Sequence, residues 1–271
     1  MYKRQDIDWT VKPNRVAIKQ RWDAFAHQLA NIANNNVGVM LMSVMLTMKD
    51  VSIYSVYYMV VNNIHKLASS TLNGLKSTFG DMMVRGEKQL LKKRFQEVEW
   101  AVFAAAGVVF SITAIMLTPF VMLYTSGVED VNYRQYWLGI VMVVVHVLIV
   151  LRIPYQMVTD AAGHFKQTRN GAILEVVLNV VFSIIFVYFF GVIGIVIGNA
   201  LASLVRTAQY MRYANRNIIE QSLLHTLRNV VVYIAASVLL VLAAQKIVPE
   251  TMSGYGPVSY THLTLPTMAV V

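Results

Sequence analysis

Polar side chains recur at three- and four-residue steps along two segments near the start of the chain. Such steps place side chains on one face of a helix. Two neighbouring helices with polar faces predict a shared water-filled cavity, and a hydrogen-bonded seam between the helices is the alternative. The two series are His27, Gln28, Asn31, Asn34 and Asn35, followed by Asn62, His65, Lys66, Ser69 and Asn73.

Two cations, Lys66 and Arg152, lie inside otherwise apolar segments. A charge at mid-bilayer costs about 2.5–3.5 kcal/mol, so each such residue is a candidate for function. An ammonium or a guanidinium binds phosphate or another anion. The alternatives are snorkelling or pairing with a carboxylate for Lys66, and an interfacial anchor for Arg152. The predicted substrate-binding residues are Lys66, Asn62, His65, Asn31, Asn35 and Arg152.

Glu175, Asn179 and Ser183 follow one another at steps of four in a strongly apolar segment. Glu175 lies about one turn inside the predicted span, where a neighbouring base can reach it. An ion pair is therefore the leading interpretation of Glu175, and a role in proton coupling is the alternative.

The sequence contains no pattern typical of a catalytic or metal site. It has no Cys, which excludes disulfides and thiolate metal ligands. No Gly-rich phosphate loop, no paired acidic motif in a polar loop and no His/Glu set with metal spacing occurs. We therefore expect neither an enzyme nor a protein with a metal or cofactor.

The elements that must position these residues are predicted to be membrane-spanning helices. The chain has 271 residues, 56% hydrophobic and only 14% charged, and its mean hydropathy is +0.53. A soluble domain is about 25% charged. Seven stretches approach the roughly 20 residues that cross a hydrocarbon core, and none alternates as a strand would. We predict an all-α polytopic bundle with spans near 26–47, 53–76, 98–123, 136–158, 172–190, 191–211 and 228–247.

The basic residues predict the orientation of these spans. Of the 23 Lys and Arg residues, 18 fall on the side of the N-terminal segment and three on the other side, and Lys66 and Arg152 lie within spans. Cytoplasmic loops carry the excess of Lys and Arg. The N-terminal segment is therefore predicted to be cytoplasmic. The net charge of +9 is explained by topology and by membrane lipids as partners, without nucleic acid.

The two ends resemble translations of a sequencing-library adapter, read in opposite senses: 1–5 is MYKRQ and 258–267 is VSYTHLTLPT. We expect residues 1–5 and 258–271 to be foreign to the protein, and the natural chain to be longer on both sides. Residues 6–247 are then the transmembrane part and 248–257 an extracytoplasmic segment.

Four short runs, in order along the chain, resemble a known family. They are VSIYSVYY at 51–58, GHFKQT at 163–168, NVVFS at 179–183 and FGVIGIVIG at 190–198. Together they resemble bacterial oligosaccharide flippases of the polysaccharide-biosynthesis family, of the lipid-linked O-antigen type, within the multidrug/oligosaccharidyl-lipid/polysaccharide exporter superfamily. The resemblance covers residues 16 to 240.

The resemblance implies one lobe, the C-terminal one, of a two-lobe multi-pass transporter in the bacterial inner membrane, with the N-terminal lobe missing. It implies a lipid-linked oligosaccharide as substrate, carried on undecaprenyl pyrophosphate and flipped by alternating access for surface polysaccharide synthesis. Lys66, and then Arg152, would meet the pyrophosphate. An acidic residue expected near 34–36 is absent, which puts ion coupling through that helix in doubt. A multidrug exporter of the same superfamily and a membrane-embedded glycan-assembly enzyme are the alternatives.

Overall fold

The computed structural model describes residues 15–128 and 130–247, which form helices and short turns without a strand. The predictions for residues 1–5, 248–257 and 258–271 concern parts of the chain outside these ranges. The predicted all-α bundle is confirmed. In chain order the helices are α1 (Arg15–Met45), α2 (Met48–Asn73), α3 (Leu75–Val84), α4 (Lys88–Tyr124), α5 (Tyr136–Ala161), α6 (Phe165–Phe190), α7 (Val192–Ala214), a π-helical turn (Asn215–Ile219) and α8 (Leu223–Ile247).

Five helices in the described ranges are long and apolar enough to cross a membrane: α4, α5, α6, α7 with its π-helical turn, and α8. Helices α1 and α2 have 31 and 26 residues, so they have the length of a span. Their polar faces lower their hydropathy below that of the other five. Five of the seven predicted spans are thus both long enough and apolar enough to cross a membrane, and the other two, α1 and α2, are long enough only.

Contacts at the helix ends show that α2 and α5 run in the same direction. At one end of the bundle the Lys49 ammonium, in the first turn of α2, donates over 3.2 Å to the carbonyl oxygen of Asp130, which precedes α5. At the other end the Lys76 ammonium, which follows α2, lies 3.3 Å from the carboxylate of Asp160 in the last turn of α5. This is the relation expected of two spans that are separated along the chain by one other span, α4.

The connection between α1 and α2 is fixed by a capping box. The Thr47 hydroxyl accepts a hydrogen bond from the Asp50 amide, and the Asp50 carboxylate accepts one from the Thr47 amide over 3.0 Å. Such reciprocal bonds satisfy amides that a helix N-terminus leaves unpaired. The second polar helix therefore starts at a defined residue directly after the first.

The α6–α7 hairpin turns at a single residue, Gly191, whose φ of +55° is in the region that favours glycine. Two further glycines allow the helices to approach closely. A Cβ atom at Gly194 would lie 2.8 Å from the Val187 amide nitrogen, and one at Gly198 would lie 2.5 Å from the Ser183 hydroxyl. Small residues at four-residue spacing are typical of tightly packed membrane helices.

The helices pack so that α1 and α2 stand on two sides of an open space. Helix α1 packs mainly on α6, helix α2 mainly on α5, and α5 packs on α7. Helix α4 packs on α8 and on α5. The polar faces of α1 and α2 therefore do not close on one another, and α5 forms the floor between them.

Candidate functional site

A cavity of about 440 Å³ lies between α1, α2 and α5. The sequence predicted a cavity on the polar faces of α1 and α2, and the space between these faces is a cavity rather than a closed seam. The structure brings all six predicted substrate-binding residues to its lining: Asn31 and Asn35 from α1, Asn62, His65 and Lys66 from α2, and Arg152 from α5.

The cavity is electropositive. Its lining contains three cations, Lys66, Lys76 and Arg152, and one carboxylate, Asp160. Lys76 is paired with Asp160 over 3.3 Å, and Arg152 donates to Glu175 over 2.6 Å. Among the side chains that the structure describes, those of residues 22–243 except 73 and 129, the Lys66 ammonium makes no ion pair. Lys66 is thus the cation of this lining whose charge is left for a bound anion.

Two polar atoms of the lining residues are buried without a hydrogen-bond partner in the described part of the chain: His65 Nδ1 and Arg152 Nε. A buried polar group without a partner is costly and rare in folded proteins. Both atoms belong to residues that the sequence selected.

One wall of the cavity is aromatic. The rings of Tyr54 and Tyr58 stack with centroids 5.5 Å apart, and the ring of His146 lies 5.8 Å from that of Tyr58. His65 approaches His146 edge to face at 6.2 Å. His146 is buried and its Nδ1 bonds the Met142 carbonyl oxygen. The rings of Tyr54, Tyr58 and His65 belong to α2 and that of His146 to α5, so this aromatic wall lies on the α2–α5 side of the cavity.

Glu175 lies behind the cavity wall and holds two arginines. Its Oε1 accepts from Arg152 Nη1 over 2.6 Å, and its Oε2 lies 3.7 Å from Arg206 Nε. All three residues are buried, at 4%, 8% and 3% exposed for Glu175, Arg152 and Arg206. The geometry is that of the predicted ion pair. Because Arg152 is enclosed and paired, it does not occupy the outer interfacial position that the anchor interpretation required.

Arg206 is one of the 18 basic residues that the sequence analysis counted in the loops on the side of the N-terminal segment, and this was wrong because Arg206 is buried. Arg206 lies within α7, where its guanidinium packs 4.1 Å from the ring of Tyr210 and its Nη2 lies 3.1 Å from His27 Nε2. Hydropathy does not mark where a helix ends in space. Glu175 was the feature of the sequence that could have indicated a buried arginine, because a carboxylate inside a span needs a cation from another helix.

A separate hydrogen-bonded seam joins α1 to α6. The Asn179 amide donates to the Asn34 carbonyl oxygen over 2.7 Å, and the Ser183 hydroxyl donates to Asn179 over 3.2 Å. The polar face of α1 thus combines the two predicted outcomes, because it lines the cavity on one side and forms a seam on the other.

A second buried carboxylate, Glu99 in α4, was not selected from the sequence. Glu99 is fully buried, and its carboxylate accepts hydrogen bonds from the Tyr155 hydroxyl and, over 3.0 Å, from the Asn229 amide. Among the described side chains no cation pairs with it. It follows the charged residues at 92–94 and 97 and lies in the first two residues of the predicted span 98–123, so it has the sequence pattern of an interfacial residue.

Within the described ranges, no group of three or more His, Cys, Asp and Glu side chains could hold a metal ion. The cavity therefore offers cations, amides and aromatic rings as its binding chemistry. No protein-family model matches the chain, and searches among curated proteins and solved structures returned no match.

Proposed function

We propose that this chain forms one lobe of a transporter that moves a lipid-linked oligosaccharide across the bacterial inner membrane. The observation that carries the proposal is a cavity inside a helical membrane bundle that combines Lys66, side-chain amides and an aromatic wall. The substrate class is undecaprenyl pyrophosphate bearing a short glycan, and alternating access of the cavity to the two leaflets moves it.

The pyrophosphate is the part of this substrate that an electropositive cavity selects. Lys66 supplies an ammonium without a carboxylate partner among the described residues, and Arg152 lines the same cavity. Hydrogen bonds from cations to phosphate oxygens are among the strong ones in proteins. The salt bridge to Glu175 holds Arg152 in place in the cavity wall.

The glycan matches the remaining lining. Amides such as Asn31 and Asn62 both donate and accept, as sugar hydroxyls require. The apolar face of a sugar ring stacks on flat aromatic rings, and the ring of Tyr58 lies in the lining, supported from behind by the ring of Tyr54. The volume of about 440 Å³ is within the usual range for ligand pockets, about 300–1,000 Å³. We therefore expect the cavity to hold the headgroup while the polyprenyl tail stays in the bilayer.

Binding of undecaprenyl pyrophosphate to the purified chain in nanodiscs tests the proposal, with undecaprenol as the ligand without phosphate. Lys66→Gln removes the central cation, and Lys93→Gln removes an exposed cation at the cytoplasmic end of α4 as the matched control. We expect Lys66→Gln to weaken binding about tenfold, as the loss of one charged hydrogen bond predicts. Lys93→Gln should bind as the wild type does.

Equal affinities of the Lys66→Gln and Lys93→Gln proteins would contradict this assignment. In cells, the complete transporter gene should restore surface polysaccharide to a flippase-deficient strain, and Lys66→Gln should reduce that restoration. Efflux of cationic drugs without restoration of polysaccharide would favour the multidrug exporter instead.

A further inference from the structure

A second cavity, of about 530 Å³, lies between the start of α6 and the end of α7. Its lining is distinct from that of the central cavity, and the inference drawn from it does not rest on the proposed function. Three arginines and no carboxylate line it in the described structure. Its lining includes Asn170, Gly171 and Leu174 on α6, Arg206 and Arg212 on α7, and Arg216 on the π-helical turn that follows α7.

The arginines surround the cavity from its depth to its mouth. Arg206 is 3% exposed and forms the inner end, where its Nε faces Glu175. Arg212 and Arg216 are exposed, and neither forms an ion pair with a described side chain. The two outer guanidinium groups therefore carry uncompensated charge one turn apart, at the end of α7 and on the π-helical turn that follows it.

Gly171 lets Arg206 lie directly against α6. A Cβ atom at this position would collide with the Arg206 guanidinium and lie 2.5 Å from Gln209 Oε1. Glycine at this helix position thus makes room for the side chains of Arg206 and Gln209 in the cavity lining. The amide of Asn170, on the same turn of α6, faces the same cavity and adds a hydrogen-bond donor to the guanidinium groups.

The cavity borders the outer, apolar surface of α6. Leu174 lines it and is 40% exposed, and its neighbours Ile173 and Val177 are 48% and 50% exposed. These positions lie on a helix that is apolar enough to cross the membrane. The cavity therefore lies where an acyl chain can follow α6 while a headgroup meets the arginines.

We infer that the α6–α7 cavity binds a phosphate group at the cytoplasmic surface, supplied by the phosphodiester headgroup of an anionic membrane lipid. The planar guanidinium groups match phosphate oxygens in pairs. Basic pockets between transmembrane helices on the cytoplasmic side are suited to such headgroups.

Thermal unfolding of the full chain in nanodiscs tests this inference, with phosphatidylcholine alone, with added phosphatidylglycerol, and with inorganic phosphate in solution. Native mass spectrometry of the same samples measures retained phosphatidylglycerol. Arg212→Gln combined with Arg216→Gln removes the outer charges. The matched control, Lys93→Gln with Arg228→Gln, removes two exposed charges from the same end of the bundle.

We expect phosphatidylglycerol to stabilise the wild type and the control equally. The Arg212→Gln/Arg216→Gln protein should retain it about tenfold more weakly, since each exposed cation contributes modestly. Asn170→Asp, which adds a carboxylate to the lining, should weaken retention in the same direction. Equal retention by all four proteins would overturn the site. Stabilisation by inorganic phosphate with no response to phosphatidylglycerol would overturn the lipid as its source.

Discussion

Substitution of Glu175 by Gln tests the buried salt bridge behind the central cavity. In the wild type one carboxylate serves both Arg152 and Arg206, and all three side chains are less than 10% exposed. Gln keeps the shape and one acceptor oxygen but removes the negative charge. Two guanidinium groups are then buried close together without a counter-charge among the described residues, which is the costly case for a buried ion pair.

The expected cost follows from the distances. At an effective dielectric constant of about 20, charges separated by 2.6 and 3.7 Å attract by about 6 and about 4.5 kcal/mol. Desolvation of Glu175, Arg152 and Arg206 offsets much of this. Removal of one partner from a buried pair costs about 3–5 kcal/mol. We therefore expect Glu175→Gln to lower the free energy of unfolding by that amount.

Reversible unfolding in mixed micelles, followed by helical circular dichroism, measures this change. Glu87→Gln is the matched control, because Glu87 is exposed at the start of α4 and forms no ion pair in the described structure. The double variant Arg152→Gln/Glu175→Gln should be more stable than the sum of the single changes predicts, with a coupling of about 1–3 kcal/mol.

The reasoning is refuted if Glu175→Gln is as mild as Glu87→Gln. It is also refuted if the effects of Arg152→Gln and Glu175→Gln add without coupling. Either result would mean that water or lipid headgroups reach these charges and replace the salt bridge.

Three further predictions concern the packing and the loops. Gly198→Ala places a methyl group against the backbone of α6, and we expect it to cost about 1–3 kcal/mol of unfolding free energy in micelles. Tyr155→Phe removes a donor from the buried Glu99 carboxylate and should cost about 1–3 kcal/mol in the same assay. The hydrogen bond from Lys88 lowers the pKa of the exposed Glu220 carboxyl. Their contact therefore stabilises the folded protein at neutral pH, and this stabilisation is lost as the pH falls through the lowered pKa. Glu220→Gln should remove this part of the pH dependence of thermal stability.

Each of these predictions has a matched control. Gly74→Ala should be neutral, because a Cβ atom there meets nothing within 4 Å and its φ is −63°. Tyr124→Phe, at a residue 60% exposed, should leave stability unchanged. Glu87→Gln should keep the wild-type pH profile. A control as damaging as its test variant would contradict the corresponding contact.

The residues of the central cavity were predictable because helical periodicity fixes which side chains share a face. Asn31 and Asn35 are one turn apart, and so are Asn62 and Lys66, whatever the rest of the fold does. The sequence could not show that α1 packs on α6 and α2 on α5, which keeps the two faces apart. That arrangement depends on contacts between segments far apart in the chain.

The same reason explains the misplacement of Arg206 and the omission of Glu99. Arg206 meets His27 across 179 positions of the chain, and Glu99 meets Asn229 across 130 positions. Near the end of an apolar run, a charged residue can face a neighbouring helix or the water, and both fit the same local pattern. Which of these occurs is decided by the tertiary packing.

The one-residue connection at Gly191 has a consequence for how the protein enters the bilayer during synthesis. With no loop between them, α6 and α7 are expected to leave the translocon as a preformed pair. Glu175 and Arg206 then neutralise each other across the hairpin before either contacts lipid. Each would otherwise cost about 2.5–3.5 kcal/mol at mid-bilayer. A longer loop at Gly191 would let α6 be released alone with its carboxylate exposed, so membrane integration itself should depend on the shortness of this turn.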